Sequence, residues 1–165
     1  MRALPILLAI AAALAAGPAA AVDETLRGEA TAVEGDVLMV QGTKVRLAGI
    51  DAPDLGQICG TGTGREYDCG DMARRVLAAL LAGREIECIL SGPPSPDGLR
   101  AGTCRAEGKS IAGAMAVRGW AFAAIKLSHR YVPLQAVAQA RKAGMWAGRV
   151  DAPWNWRTRK LQEAR

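Results

Sequence analysis

The sequence predicts a mainly β fold with helices added: five short strands, one helix inserted after the third, and two more helices near the C-terminal end. Three observations predict it. Short alternating runs, such as Val45 and Leu47 against Lys44 and Arg46, have the period of a half-buried strand. Clusters of Gly and Pro break these runs at close intervals. Met72, Val76, Leu77, Leu80 and Leu81 then fall on one side of a helix in the middle of the strand series. With 50% hydrophobic and 22% charged residues, the chain is no disordered or low-complexity polymer. Its 19 Gly and 8 Pro follow no Gly-X-Y period, and no repeat of solenoid length occurs. The 165 residues suit one domain.

Taken in order, the first segment belongs to export rather than to the fold. Arg2, the apolar stretch from Leu4 to Ala16, and Gly17-Pro18 ahead of Ala19-Ala20-Ala21 supply its charged, apolar and small-residue parts. Residues 1–21 are therefore read as a signal peptide. The apolar run is short for a membrane span and Gly17-Pro18 interrupts it, although an uncleaved anchor is the alternative. The expected product is exported, periplasmic or secreted, monomeric, and free of the membrane after cleavage. Its domain covers 22–157, and a basic tail follows at 158–165.

Arg27 to Val40 reads as two strands around a turn at Glu34-Gly35-Asp36, and Thr43 to Gly49 as a third. Asp51 to Gly70 carries Pro53 and several glycines and reads as an irregular loop. Asp71 is the expected N-cap of the first helix and Gly83 its stop. Glu85 to Leu90 gives the fourth strand, and a breaker-rich turn over Gly92–Gly98 leads to a fifth around Thr103–Ala106. Ser110 caps a short helix ending at Gly119. Pro133 opens a third helix with Leu134, Val137 and Ala138 inward and Gly144 as its stop. This order suits a small Greek-key barrel of the OB type. Trp146 to Arg165 reads as a strap over the barrel with a frayed end.

Export gives the cysteines a meaning. Cys59, Cys69, Cys88 and Cys104 form an even set without a CxxC, which favours disulfides over zinc. Four cysteines allow three pairings. The pairing expected here is Cys59–Cys69, closing the Gly-rich loop, with Cys88–Cys104 joining two neighbouring strands. The charge balance is modest, 21 Lys and Arg against 16 Asp and Glu, and favours polyanions weakly. Four Trp, two Tyr and one Phe are too few for extended base-stacking platforms.

Several runs carry a resemblance. Glu34-Gly35-Asp36-Val37, Val45-Arg46-Leu47-Ala48-Gly49-Ile50-Asp51-Ala52-Pro53-Asp54, Gln57-x-Cys59 and Cys69-Gly70 are similar to the motifs of the thermonuclease (staphylococcal-nuclease-like) family. Gly83-Arg84-Glu85-Ile86-Glu87-Cys88, Gly119-Trp120-Ala121 and Ala140–Trp146 extend the likeness, which runs from about Gly28 to Arg157. It implies calcium-dependent cleavage of DNA and RNA, or a domain that has lost that activity.

Phosphodiester cleavage needs a metal, a base for water, and cations on the charge that develops at phosphorus. Calcium takes hard oxygens. The resemblance assigns that role to Asp36, Asp51 and the Ala52 carbonyl; otherwise the two acids are ordinary turn formers beside Gly35 and Pro53. Arg46 matches a phosphate-contacting arginine, and would otherwise be an unremarkable exposed strand residue. The remainder departs from the family. Asp54 stands where the family base is Glu, shortening its reach by about 1.5 Å, and a misplacement near 1 Å costs on the order of a hundredfold in rate. Val37 replaces a threonine. A second catalytic arginine falls on Leu99, while Arg100 points the other way in a regular strand and reaches the site only after a one-residue shift. Ala124 and Leu127 stand where base-contacting tyrosines are expected. His129 reads as a surface residue. Trp154-Asn155-Trp156-Arg157-Thr158-Arg159-Lys160 is read as tryptophans on a core with solvated arginines rather than a nucleic-acid surface.

Two functions follow as expectations. One is an exported calcium-dependent phosphodiesterase acting on DNA or RNA with a partly degraded site. The other is a non-catalytic OB-fold module that binds nucleic acid, oligosaccharide or a protein partner through the former cleft.

Overall fold

The computed structural model describes residues 24–164; the export segment expected at 1–21 lies outside them. The fold mixes α and β. Strands are β1 (Thr25–Gly28), β2 (Ala30–Ala32), β3 (Val37–Val40), β4 (Thr43–Leu47), β5 (Ile50–Asp51), β6 (Ile58–Gly60), β7 (Glu66–Asp68), β8 (Ile86–Ser91), β9 (Arg100–Ala106), β10 (Lys109–Ser110) and β11 (Phe122–Ala123). Helices are α1 (Cys69–Leu81), α2 (Ile111–Val117), α3 (Val132–Ala140) and α4 (Pro153–Glu163), with a 3-10 turn at Gly144–Ala147.

The main sheet has the order β1-β8-β9-β4-β3-β2, with β10 beside β9. Its neighbours are antiparallel except β4 and β9, where Val45 stands level with Arg100 and Arg46 with Ala101. The two strands at the ends of this order, β1 and β2, are separated in the chain by Glu29 alone. Alternation along β4 and β9 sends Val45, Leu47, Gly102 and Cys104 inward. Together with Leu38, Leu77, Leu81, Ile86 and Met115 these residues form the core.

Strands cover every stretch predicted to hold one, but the elements are more numerous. The supposedly irregular loop contains a small hairpin, β6 against β7. Cys59 and Cys69 are joined next to it, with Cα atoms 5.6 Å apart, and this crosslink holds the hairpin to the start of α1. Cys88 and Cys104 face each other across β8 and β9 and are joined as well. Both bridges follow the expected pairing. They are consistent with export, and among the described residues no helix is long and apolar enough to cross a membrane.

The helix boundaries shift for local reasons. Asp68, not Asp71, caps α1: it is extended, and its carboxylate accepts the Asp71 N–H at 2.8 Å. Asp71 instead pairs with Arg74 and Arg75 along the first turns. Ser110 caps α2 as expected, its Oγ accepting from the Gly113 N–H at 3.1 Å. In α3 only Ala138 is buried, and Val137 is partly exposed, because the helix meets the rest of the fold along a narrow stripe. α3 also stops at Ala140, short of Gly144.

The largest correction concerns the tail and the helix count. Among the described residues there are four α-helices, not three, because the segment expected to fray is α4. Pro153 opens it with a preset φ and no lost donor. The five-strand count is exceeded too, since the main sheet alone has seven strands.

The bridge across β8 and β9 closes a short loop, so its chain-entropy contribution is about 3 kcal/mol. Replacing Cys88 and Cys104 together by Ala is expected to lower unfolding stability by about that amount. Urea denaturation monitored by tryptophan fluorescence measures it.

Candidate functional site

Three carboxylates approach one another where the turns before β3 and after β5 meet the start of α1. Asp36 ends the turn Glu34-Gly35-Asp36, and its carbonyl accepts the Leu47 N–H at 2.8 Å, tying it to β4. The turn lies so close to its neighbours that a Cβ on Gly35 would stand 2.7 Å from the Cβ atoms of both Ala52 and Ala73. Glycine is what permits that approach. Gly70 does the same for the second turn, since a Cβ there would lie 1.9 Å from the Asp54 carbonyl oxygen. Two acidic turns are thereby pressed onto one helix.

Asp36 is 5% exposed, and no hydrogen bond reaches its carboxylate among the described residues. The Arg46 Nε stands 3.7 Å away, and Arg46 Nη2 is 3.9 Å from Glu34. Burial pushes the Asp36 carboxyl up to about 7; Arg46 opposes the rise, while Asp51, Glu34 and Asp54 add to it.

Asp51 and Asp54 are held differently. The Arg157 guanidinium, carried by α4, donates Nη2 to Asp51 Oδ2 at 2.6 Å and Nη1 to Asp51 Oδ1 at 3.2 Å. Nη1 also reaches both oxygens of Asp54 at 3.0 Å. Hydrogen bonding to Asp51, above all, raises the Arg157 pKa and keeps it charged. Asp54 nevertheless has a raised pKa, because burial outweighs the pull of Arg157.

The expected site residues therefore divide. Asp36, Asp51, Asp54 and Arg46 come together, with Ala52 buried between the acids. Arg100 does not join them: its guanidinium donates to Glu24 at 2.9 Å and to the Gly92 carbonyl at 3.1 Å. It lies level with Val45, one residue out of step with Arg46. Leu127 is 80% exposed on the rim of an open cavity of about 310 Å³ that Arg46, Ala101, Ser128 and Tyr131 also line. Ala124 is tied to β5's turn through its N–H to the Gly49 carbonyl. His129 is exposed.

Sequence reasoning missed two residues. Gln57 is fully buried; its Oε1 accepts from the Asp54 N–H at 3.3 Å and its Nε2 donates to the Asp151 carbonyl at 2.8 Å. It thus links the acidic turn to the segment leading into α4, and its place in the Gln57-x-Cys59 run was the only hint. Arg157 was expected to be solvated, and the structure overturns that. Over a hundred residues separate it from its partners, so no local spacing signals the contact.

The oxygens here are of the hard kind calcium prefers. They are not gathered into a shell, however: among the described residues, no group of three or more His, Cys, Asp and Glu side chains is placed to hold a metal ion. As arranged, Asp51 and Asp54 hold the Arg157 guanidinium.

Compared with known proteins, the chain is 32% identical over 152 residues to the succinoglycan biosynthesis protein ExoI of Rhizobium meliloti (strain 1021). The match covers 87% of this chain and 76% of that protein. No family model matches.

Burying Asp36 makes stability depend on pH. Between 3.8 and about 7 the folded state keeps a proton that the unfolded state has released, so stability falls as pH rises through this window. Asp36→Asn removes this group's share of the dependence. Its melting temperature is expected to match the native protein near the bottom of the window and to exceed it increasingly toward the top, as read by differential scanning calorimetry.

Proposed function

The chain belongs to the family of the Rhizobium meliloti succinoglycan biosynthesis protein ExoI, and from that footing we propose that it is an exported, thermonuclease-like phosphodiesterase of weak activity, acting on DNA or RNA with calcium. One observation carries the proposal. Asp36, Asp51, Asp54 and Arg46 converge from separate turns and a strand on one spot, which turn chemistry alone does not require. Further support comes from β1 and β2, adjacent in the chain yet at opposite ends of the sheet order, as in a Greek-key barrel of the OB type.

The roles follow from the residues. Once released from Arg157, Asp36, Asp51 and the Ala52 carbonyl would hold calcium, and Asp54 is the carboxylate that would orient a water molecule. Arg46, half-exposed at the mouth of the cavity, faces the phosphate and offsets charge developing on it. Calcium, when bound, supplies Lewis-acid polarisation and lowers the pKa of water. Activity is weak for reasons of geometry: Asp54 is a methylene short, Arg100 is engaged with Glu24, and Arg157 holds both oxygens of Asp51.

That last contact also favours a second reading, in which the module no longer cuts and instead binds an oligosaccharide or a protein partner. The relative's association with succinoglycan biosynthesis fits an oligosaccharide.

Digestion of single-stranded DNA and RNA at high enzyme concentration separates the two. Slow cleavage is expected with calcium, lost on chelation and reduced on the order of a hundredfold or more by Arg46→Ala. No cleavage under any condition, with retention on an acidic polysaccharide column, selects the binding module.

A further inference from the structure

Arg157 sits where a cation is wanted, and it arrives on a lightly attached helix. We propose that its guanidinium is a tethered cation that competes with a divalent metal ion for Asp51 and Asp54, so that α4 is a latch over the acidic site. This inference rests on the metal-dependent reading of the same carboxylates.

Three features carry it. First, the guanidinium reaches every oxygen of both carboxylates: Asp51 gives both to Arg157, and so does Asp54. An ion bound to Asp51 shares oxygens with the guanidinium and meets its positive charge at close range. Second, Asp36 is left over. It is deeply buried and accepts no hydrogen bond among the described residues, and Arg46 approaches only to 3.7 Å. The three acids Asp36, Asp51 and Asp54 face two guanidinia, so removing Arg157 leaves excess negative charge in a half-buried pocket.

Third, α4 is anchored less firmly than the segment before it. Gly60 and Arg149 exchange both backbone hydrogen bonds, at 2.8 and 3.0 Å, and Gln57 holds the Asp151 carbonyl. Beyond Ala152 the anchorage thins. Pro153 is the only buried residue of α4, and no side chain caps the helix. Trp154 leans on Phe122 with ring centroids 5.5 Å apart but stays 43% exposed. Arg159 pairs with Asp151, which lies on the near side of the pivot. The Arg157 contacts are thus the main polar bonds between the helix and the acidic turns, and breaking them frees it about Ala152–Pro153.

The test measures metal binding and helix motion rather than activity. Calcium titrations by calorimetry on the native protein, Arg157→Gln and Arg157→Lys are combined with amide hydrogen exchange across 153–163. Expected are calcium binding about tenfold or more tighter in Arg157→Gln than in the native protein, an intermediate value for Arg157→Lys, and faster exchange in native α4 when calcium is saturating. The exchange measurement needs no variant, so it decides the matter even if Arg157→Gln fails to fold. Equal calcium affinity in native protein and variants, with α4 exchange unchanged by calcium, overturns the latch and leaves the metal site standing. Absence of calcium binding in all three proteins overturns both.

Discussion

Asp36 is carried inward on a turn wedged against Ala52 and Ala73, and the arrangement at the acidic end depends on that burial. A carboxylate taken out of water needs a cation or a proton. Arg46 supplies part of the answer from the neighbouring strand, at a distance too long for a hydrogen bond. The remainder is met by a raised pKa, which leaves the group poised between charged and neutral near physiological pH. Gly35 is the steric condition for all of this, since any side chain there would collide with two others.

The same end of the molecule shows how charge is shared among segments far apart in the chain. Arg157 spans Asp51 and Asp54 in a fork that suits a guanidinium and would not suit a lysine ammonium, whose donors point from one centre. The planar group reaches two carboxylates at once, and Gln57 braces the path from one of them to the base of α4. The tail of the chain is thereby part of the site. Cys59–Cys69 contributes from the other side, tethering the loop that carries Gln57 to the first turn of α1.

Fold and site stand in a simple relation. The parallel pairing of β4 with β9 fixes the register that leaves Arg46 at the cleft and sends Arg100 to Glu24, while the second disulfide ties β9 to its other neighbour, β8. In a regular strand, neighbouring residues face opposite ways. The structure keeps that regularity, so no shift brings Arg100 into the site.

How much was legible beforehand follows from the range of each interaction. Strand alternation in Thr43–Leu47, the Ser110 cap, Pro133 in the first turn of α3 and the pairing of neighbouring cysteines are local, decided by residues a few positions apart. The sequence by itself determined these, and it also marked Asp36, Arg46, Asp51 and Asp54 through their runs. Asp68 in place of Asp71 as a cap was missed by three residues, because either acid satisfies the same rule and only backbone geometry chooses between them. The tail was misread for a deeper reason. A helix with few apolar residues earns little from its own pattern, and α4 persists because Pro153, Trp154 and Arg157 find partners brought near only by the folded sheet. Only the tertiary structure decided that the cation between Asp51 and Asp54 is the chain's own arginine, since two charges a hundred residues apart meet only once everything between them has folded.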